Sequence, residues 1–345
     1  MRWSKSQSKT SPKRGSVILL ILMLITVVSY LLIRFIERAG VEVQTEGYYT
    51  QRDNLRRDAW SMMEVAIAVL ADVKEIEGSL YSPAQGWGNP LSYAEVEPPE
   101  GLQVSFNFID ESAKVGINQL DEASLFLLFD EMEFEPDESQ ELSDVLLDWI
   151  DEDDDARIDG AESRDYSTSE LEMNPANAEL ESLEELKYLI LFDELFFDEN
   201  GDPNAKFRRL EQSLTVHEIE SVNINAASDL ALRSLVGLSE TATENVREYL
   251  NGDDEIPNTA DDNYFESADE LASIAAGVDE GISVDFQISV LTIEVTVQQG
   301  GGSYTLIGTI TTESTASVET SDGESNIEYP FLFLEIRERP GIDVL

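Results

Sequence analysis

Residues 16 to 33 read SVILLILMLITVVSYLLI, eighteen consecutive positions without a charge. A helix on a soluble core keeps one polar face. This run has none, and at about 1.5 Å per residue it is close to the length that crosses the hydrocarbon core of a bilayer. Ahead of it stand Arg2, Lys5, Lys9, Lys13 and Arg14 and no acid, a flank that the positive-inside rule keeps in the cytoplasm. Beyond it the balance inverts, because the whole chain sets 71 Asp+Glu against 22 Lys+Arg for a formal charge of -49. The expectation is a single-pass protein with its acidic bulk on the outer side of the membrane.

That acidity removes whole classes of function. A nucleic-acid partner requires a basic face that displaces counterions, so none is expected. With no cysteine, disulfides, thiol catalysis and thiolate metal sites are all absent. The one histidine, His217 in SLTVHEIES, has no G-x-S-x-G elbow to serve, and no P-loop appears. Carboxylates are too numerous to single out a glycosidase pair. No enzyme activity is expected.

The helical pattern that begins at Ser16 continues past the membrane, with Leu55, Ala59, Trp60, Met63, Ala66, Ile67 and Leu70 at steps of three and four, and Gly78 is predicted to end it. A weaker stretch around Gly40 and Gly47 is a candidate kink. After a Gly/Pro-rich loop at 78 to 101, LQVSFNFID (102 to 110) alternates as a strand. Helical spacing then runs to about Gly277, broken by acidic loops. Alternation returns in FQISVLTIEVTV, in YTLIGTITTE beyond the QQGGGS turn, and, after a Ser/Thr/Glu/Asp-rich loop, in YPFLFLEIRER. The expected class is α+β: a transmembrane and spine helix on an antiparallel sheet, with a large all-α block inserted between strands. The corresponding segments are 1–15, 16–77, 78–114, 115–280 and 281–345. Within the block, VGINQL and VNINAA echo one another. Two short helices about Val236-Gly237-Leu238 have the pattern of a helix-hairpin-helix unit, read as scaffold for want of a basic surface.

The densest acidic stretch is DWIDEDDDARIDGAE, residues 148 to 162. Counted from Asp151, carboxylates stand at positions 1, 3, 5, 9 and 12, namely Asp151, Asp153, Asp155, Asp159 and Glu162, with Ile158 at position 8. This is the oxygen-ligand spacing of an EF-hand-like calcium loop, although Ala156 replaces the usual glycine at position 6 and no amphipathic exit helix follows. A solvated acidic turn is the plainer reading. Two further oxygen-rich loops, 198–204 and 251–263, offer the same choice between calcium and an ordinary polar turn.

The basic segment closes on Lys13-Arg14-Gly15 directly before the apolar run. That junction resembles a type IV prepilin, whose leader is cut after the glycine, here between Gly15 and Ser16. Ser16 departs from the usual Phe and Leu20 from the usual mature fifth-position Glu. Together with KVGINQL, DWIDEDDDARIDGAESRDY and VNINAAS, it resembles the type II secretion minor pseudopilin K family (general secretion pathway protein K). The resemblance implies a pilin-like α/β domain with a helix-hairpin-helix, SAM-like α domain inserted, and a place in the inner membrane with the bulk periplasmic. It further implies cleavage by prepilin peptidase with methylation of the new terminus, and structural Ca2+ in the α domain, with Asp151, Asp153, Asp155 and Glu162 as ligands and Asp159 and Asp165 next. The partners it implies are minor pseudopilins I and J, the major pseudopilin and the inner-membrane assembly platform, at the tip of a pseudopilus that exports folded proteins. Lacking the fifth-position Glu fits a subunit with nothing above it. The alternative is a membrane-anchored calcium-binding adhesion or surface protein, which shares the acidity but not the cut after Gly15.

Overall fold

The computed structural model describes residues 13–167, 174–257, 261–275, 283–314, 316–319 and 326–341; most of the expected leader, residues 1–12, lies outside them. Helix α1 (Lys13–Glu77) is continuous through Gly40 and Gly47, where a kink was a candidate. Its Ile18–Gly40 stretch has a mean hydropathy of 2.6 and no part of it is covered by protein, so it is a candidate membrane anchor by length and composition. The second half is amphipathic. Leu55, Ala59, Met63, Ala66, Leu70 and Val73 are buried in one stripe, and the helix stops where predicted, at Gly78, whose φ of +86° is the left-handed conformation of a C-terminal cap.

That stripe lies on a four-stranded antiparallel sheet of β1 (Gln103–Asp110), β2 (Val290–Gln299), β3 (Gly302–Thr311) and β4 (Leu332–Gly341), in that spatial order. β2 and β3 form a hairpin in which Gln299 pairs with Gly302, and Gly300 and Gly301 both have positive φ, +60° and +83°, as a tight two-residue turn requires. Alternation decides the faces: Leu291, Ile293, Val295 and Val297 meet Leu306 and Ile310 against α1 in one core. The edge strand β4 is tied to the spine, since Glu338 accepts hydrogen bonds from Arg56 Nε at 2.8 Å and Trp60 Nε1 at 3.2 Å.

β1 and β2 are neighbours in the sheet, yet the chain between them builds a second core running from Ala113 to Phe286. Helices α2 (Glu122–Glu131) and α3 (Pro136–Ile150) pack together there over Phe129, Phe134, Phe192 and Phe196, whose rings contact one another. This stretch is not wholly helical. Val115–Gly116 pairs in parallel with Leu214–Thr215, and Val222–Asn223 with Val284–Asp285. The two echoed motifs share this device. In each, the valine opens a two-residue bridge, the isoleucine (Ile117, Ile224) is buried, and the asparagine clamps a distant backbone: Asn118 both donates to and accepts from Leu180, while Asn225 does so with Phe265. The Ser/Thr/Glu/Asp-rich stretch read as loop contains a short antiparallel pair, Ala316–Glu319 with Asn326–Tyr329.

Where the two cores meet, the Asp110 carboxylate accepts from Ser112 Oγ and, at 2.7 Å, from Asn223 Nδ2. Burial pushes this carboxyl up to about 7, against the pull of those two donors. The folded chain therefore holds a proton that the unfolded chain releases near pH 4, so this group's stabilising contribution is full below about pH 4 and is lost as pH rises to about 7. Asp110→Asn, which keeps an acceptor for Asn223, is expected to flatten the fall in melting temperature over that range. An unchanged pH profile would show that the carboxylate is ionised throughout.

Candidate metal centre

Helix α3 starts well and ends badly. Pro136 sits in its first turn behind a Glu135–Glu138 capping box, and Leu142, Val145, Leu146 and Trp149 bury its apolar stripe. Its last turn, where the helix dipole is negative, carries Asp148 and is followed by Asp151 at the C-cap, and such charges are unfavourable there. Arg157 supplies part of the compensation. Its Nη1 bonds the Asp148 carboxylate and, at 2.7 Å, Asp151 Oδ2, while its backbone N–H donates to Asp148 Oδ2 at 3.1 Å. The loop thus doubles back beneath the helix end.

Backbone amides occupy most of the remaining carboxylates. The N–H of Asp159 donates to Asp144 Oδ2 at 3.2 Å, that of Ser163 to Asp154 Oδ1 at 3.3 Å, and that of Glu162 to Asp165 Oδ2 at 3.2 Å. Asp165 is therefore a cap for the turn Ser163–Tyr166. Asp153 Oδ1 takes the Asp155 N–H at 2.9 Å, and Asn177 Nδ2 holds the Asp153 carbonyl at 2.6 Å.

Among the described residues, three carboxylate oxygens are left over in the interior. Asp151 Oδ1 and both Oε atoms of Glu162 are buried without a hydrogen-bond partner, and Glu162 is only 3% exposed. Oxygens of Asp151, Asp153 and Glu162 all lie within 4.8 Å of one another. Burial pushes the Glu162 carboxyl up to about 7, and the charges of Asp148, Asp151, Asp154 and Asp153 add to the effect. A buried carboxylate facing other carboxylates is costly unless a cation or proton arrives. Oxygens sharing one calcium at 2.3–2.6 Å stand at most about 5 Å apart, and an all-oxygen set suits a hard ion rather than zinc. These residues fit calcium.

Of the five residues singled out from spacing and Asp165, which the resemblance added, the structure brings together Asp151, Asp153 and Glu162. Asp155 and Asp159 are exposed outside that group, Asp159 contributing its amide to Asp144. Ile158 is 98% exposed, so the loop lacks the inward-packed position 8 of an EF-hand. Sequence reasoning missed the parts played by Asp144, Asp148, Arg157 and Asn177. Asp148 and Arg157 stood in the stretch itself, and their opposite charges nine residues apart were the available signal.

In each of the two competing loops, where they are described, one aspartate accepts backbone amides of its own turn. Asp198 Oδ1 accepts the N–H groups of Asn200 and Asp202 at 2.8 and 3.0 Å, which holds its carboxyl below the usual range. Asp261 Oδ2 accepts those of Asp253 and Asp254 at 2.8 and 3.1 Å. Among the described residues His217 joins no ligand cluster.

Residues 106–199, which hold this centre, match the family model for type II secretion system (T2SS), protein K. No curated protein matches the chain. Among solved structures, the fold is similar to a chain of the crystal structure of the GspK-GspI-GspJ complex from the enterotoxigenic Escherichia coli type 2 secretion system. The TM-score is 0.56 and the identity 14%, over 88% of this chain and 100% of that one. The family match bears out the resemblance over residues 106–199, and the structural likeness shows the pilin-like fold.

Proposed function

We propose, from the premise that residues 106–199 match the type II secretion protein K model, that this chain is a minor pseudopilin at the tip of the type II secretion pseudopilus. It helps initiate assembly of the filament that exports folded proteins, and it is not an enzyme. The family match carries this reading. The α1 helix supports it, with an uncovered apolar half for the membrane and a buried amphipathic half for the sheet. In this reading the bulk of the chain is periplasmic, and residues between β1 and β2 form the inserted α domain with the helix-hairpin-helix turn at Gly237 as scaffold. Minor pseudopilins I and J are its nearest partners, as in the complex of its structural relative, with the major pseudopilin and the inner-membrane platform beyond them. Calcium is held by Asp151, Asp153 and Glu162 and neutralises the charge that α3 and its loop bring together; Asp148 and Arg157 position that loop. Leu20 leaves the fifth mature position without the charge that would pair with a subunit above.

The test is intact mass spectrometry of the membrane-extracted protein made with and without prepilin peptidase. The expected result is peptidase-dependent loss of residues 1 to 15, with methylation of Ser16 read as one added methyl mass. An uncut terminus in both samples would sink the pseudopilin reading and favour a plain membrane-anchored surface protein.

A further inference from the structure

The stretch from 115 to 280 contains only eight Lys and Arg residues amid its many acids. Three of them, Arg209, Arg233 and Arg247, line one cavity of about 470 Å³ together with Glu131 and Asp229. They come from separate elements, the helix Ala205–Glu211, the π-turn Ala231–Leu235 and the helix Glu240–Leu250. Chance would scatter eight cations over this surface, and pairing alone would match each to an acid. Here two are pinned and one is not. Arg233 Nη2 bonds Glu131 at 2.8 Å, and Arg247 bonds Asp229 through Nε at 2.5 Å and the Ala227 carbonyl through Nη2. Arg209 has no carboxylate partner among the described residues. Because a guanidinium has five N–H donors, the pinned pair still have unused ones. Beneath them, the hydroxyls of Ser213 and Ser228 lie 2.6 Å apart and share one hydrogen bond.

We propose that this cavity is a binding site for a single carboxylate group. Three guanidiniums against two carboxylates leave one positive charge in excess, and the planar fork of an arginine matches a carboxylate with two parallel hydrogen bonds. The charge of the whole chain sets the class of ligand: a surface at -49 repels polyanions such as nucleic acid or a dianionic phosphate, while a monoanion meets a local excess that satisfies it. The volume lies within the range of small-ligand pockets. It can admit a free small carboxylate, or an acidic side chain or C-terminus of a neighbouring polypeptide. The inference stands apart from the pseudopilin reading, since it uses none of the metal centre, the membrane helix or the family match.

The experiment is phenylglyoxal modification of the full-length protein in detergent, followed residue by residue by mass spectrometry. The probes are acetate, an N-acetylated tripeptide with a free C-terminal carboxylate, the same peptide amidated, and inorganic phosphate. The exposed neighbour Arg208 is the internal control. At twice its Kd the free-carboxylate peptide is expected to slow modification of Arg209, Arg233 and Arg247 about threefold, the factor 1 + [L]/Kd, without protecting Arg208. The amidated peptide should have no effect. Arg209→Gln, at an exposed position that folding does not need, should weaken protection of Arg233 and Arg247. Protection by peptide and acetate alike identifies a small carboxylate as sufficient, and protection by peptide alone identifies a polypeptide ligand. Equal protection of Arg208, better protection by phosphate, or none by any carboxylate overturns the proposal.

Discussion

Calcium added to the metal-free protein is expected to raise its melting temperature by about 5–10 °C, and Glu162→Gln to abolish nearly all of that gain. The magnitude follows from mass action: an ion at a hundredfold its Kd, binding only the folded state, stabilises by about 2.7 kcal/mol, and each kcal/mol moves the midpoint of a domain this size by about 2–4 °C. The sign of the variant's effect without calcium distinguishes a binding site from a structural glutamate. Glu162 is buried with both oxygens unpaired, so its neutral isostere should be no less stable than the wild type in chelator and should then fail to respond to calcium. A structural glutamate would instead lose stability in both conditions. The pH dependence follows from the raised carboxyl at about 7. In the metal-free protein its proton-linked stability is full below about pH 4.5 and is lost as pH rises through about 7, so calcium should help most above pH 7, where no proton competes. Differential scanning fluorimetry in chelator, calcium and magnesium checks all of this. No shift with calcium, or an equal shift in the glutamine variant, would remove the metal from the proposal.

How much of this centre was legible in advance is a question about turns. Spacing counts assume that a loop follows one path around its ion, and for the EF-hand that path needs glycine at the sixth position. Here Ala156 stands there, and the chain folds back one residue later, where Arg157 is drawn to Asp148 and Asp151. Positions 5 and 9 consequently leave the cluster while 1, 3 and 12 remain in it. No count of carboxylates contains that information, because the reversal depends on a cation meeting the end of a helix. The spine and sheet were more legible, since three-four spacing, strict alternation and a Gly-Gly turn each report a local geometry. The parallel bridges at Val115 and Val222 were not, as two residues show no period. Only the repeated asparagine, once seen clamping Leu180 and Phe265, explains why VGIN and VNIN recur.

The same reversal makes Gly160 a position where one added carbon should be costly. A Cβ built there would lie 1.9 Å from Asp148 Oδ2 and 2.8 Å from its Cγ, far inside any tolerated contact. Neither partner can step aside cheaply. Asp148 is fully buried and fixed by two bonds from Arg157, and the backbone at Gly160 is followed directly by buried Ala161 and Glu162. Its conformation is not left-handed, so the cost of Gly160→Ala is steric and not torsional, about 2–3 kcal/mol as for an overpacked core. The loop then moves as a unit, and because Glu162 moves with it the calcium response should fall too. A double-mutant cycle separates this account from general fragility. Asp148→Ala alone is costly, since it takes from Arg157 one of its two carboxylate partners and the acceptor of its backbone N–H, but in its background Gly160→Ala should cost well under 1 kcal/mol, giving a coupling of about 2 kcal/mol. If the two costs simply add, Gly160 matters for some reason other than its approach to Asp148, and the loop is held by something besides the arginine that folds it back.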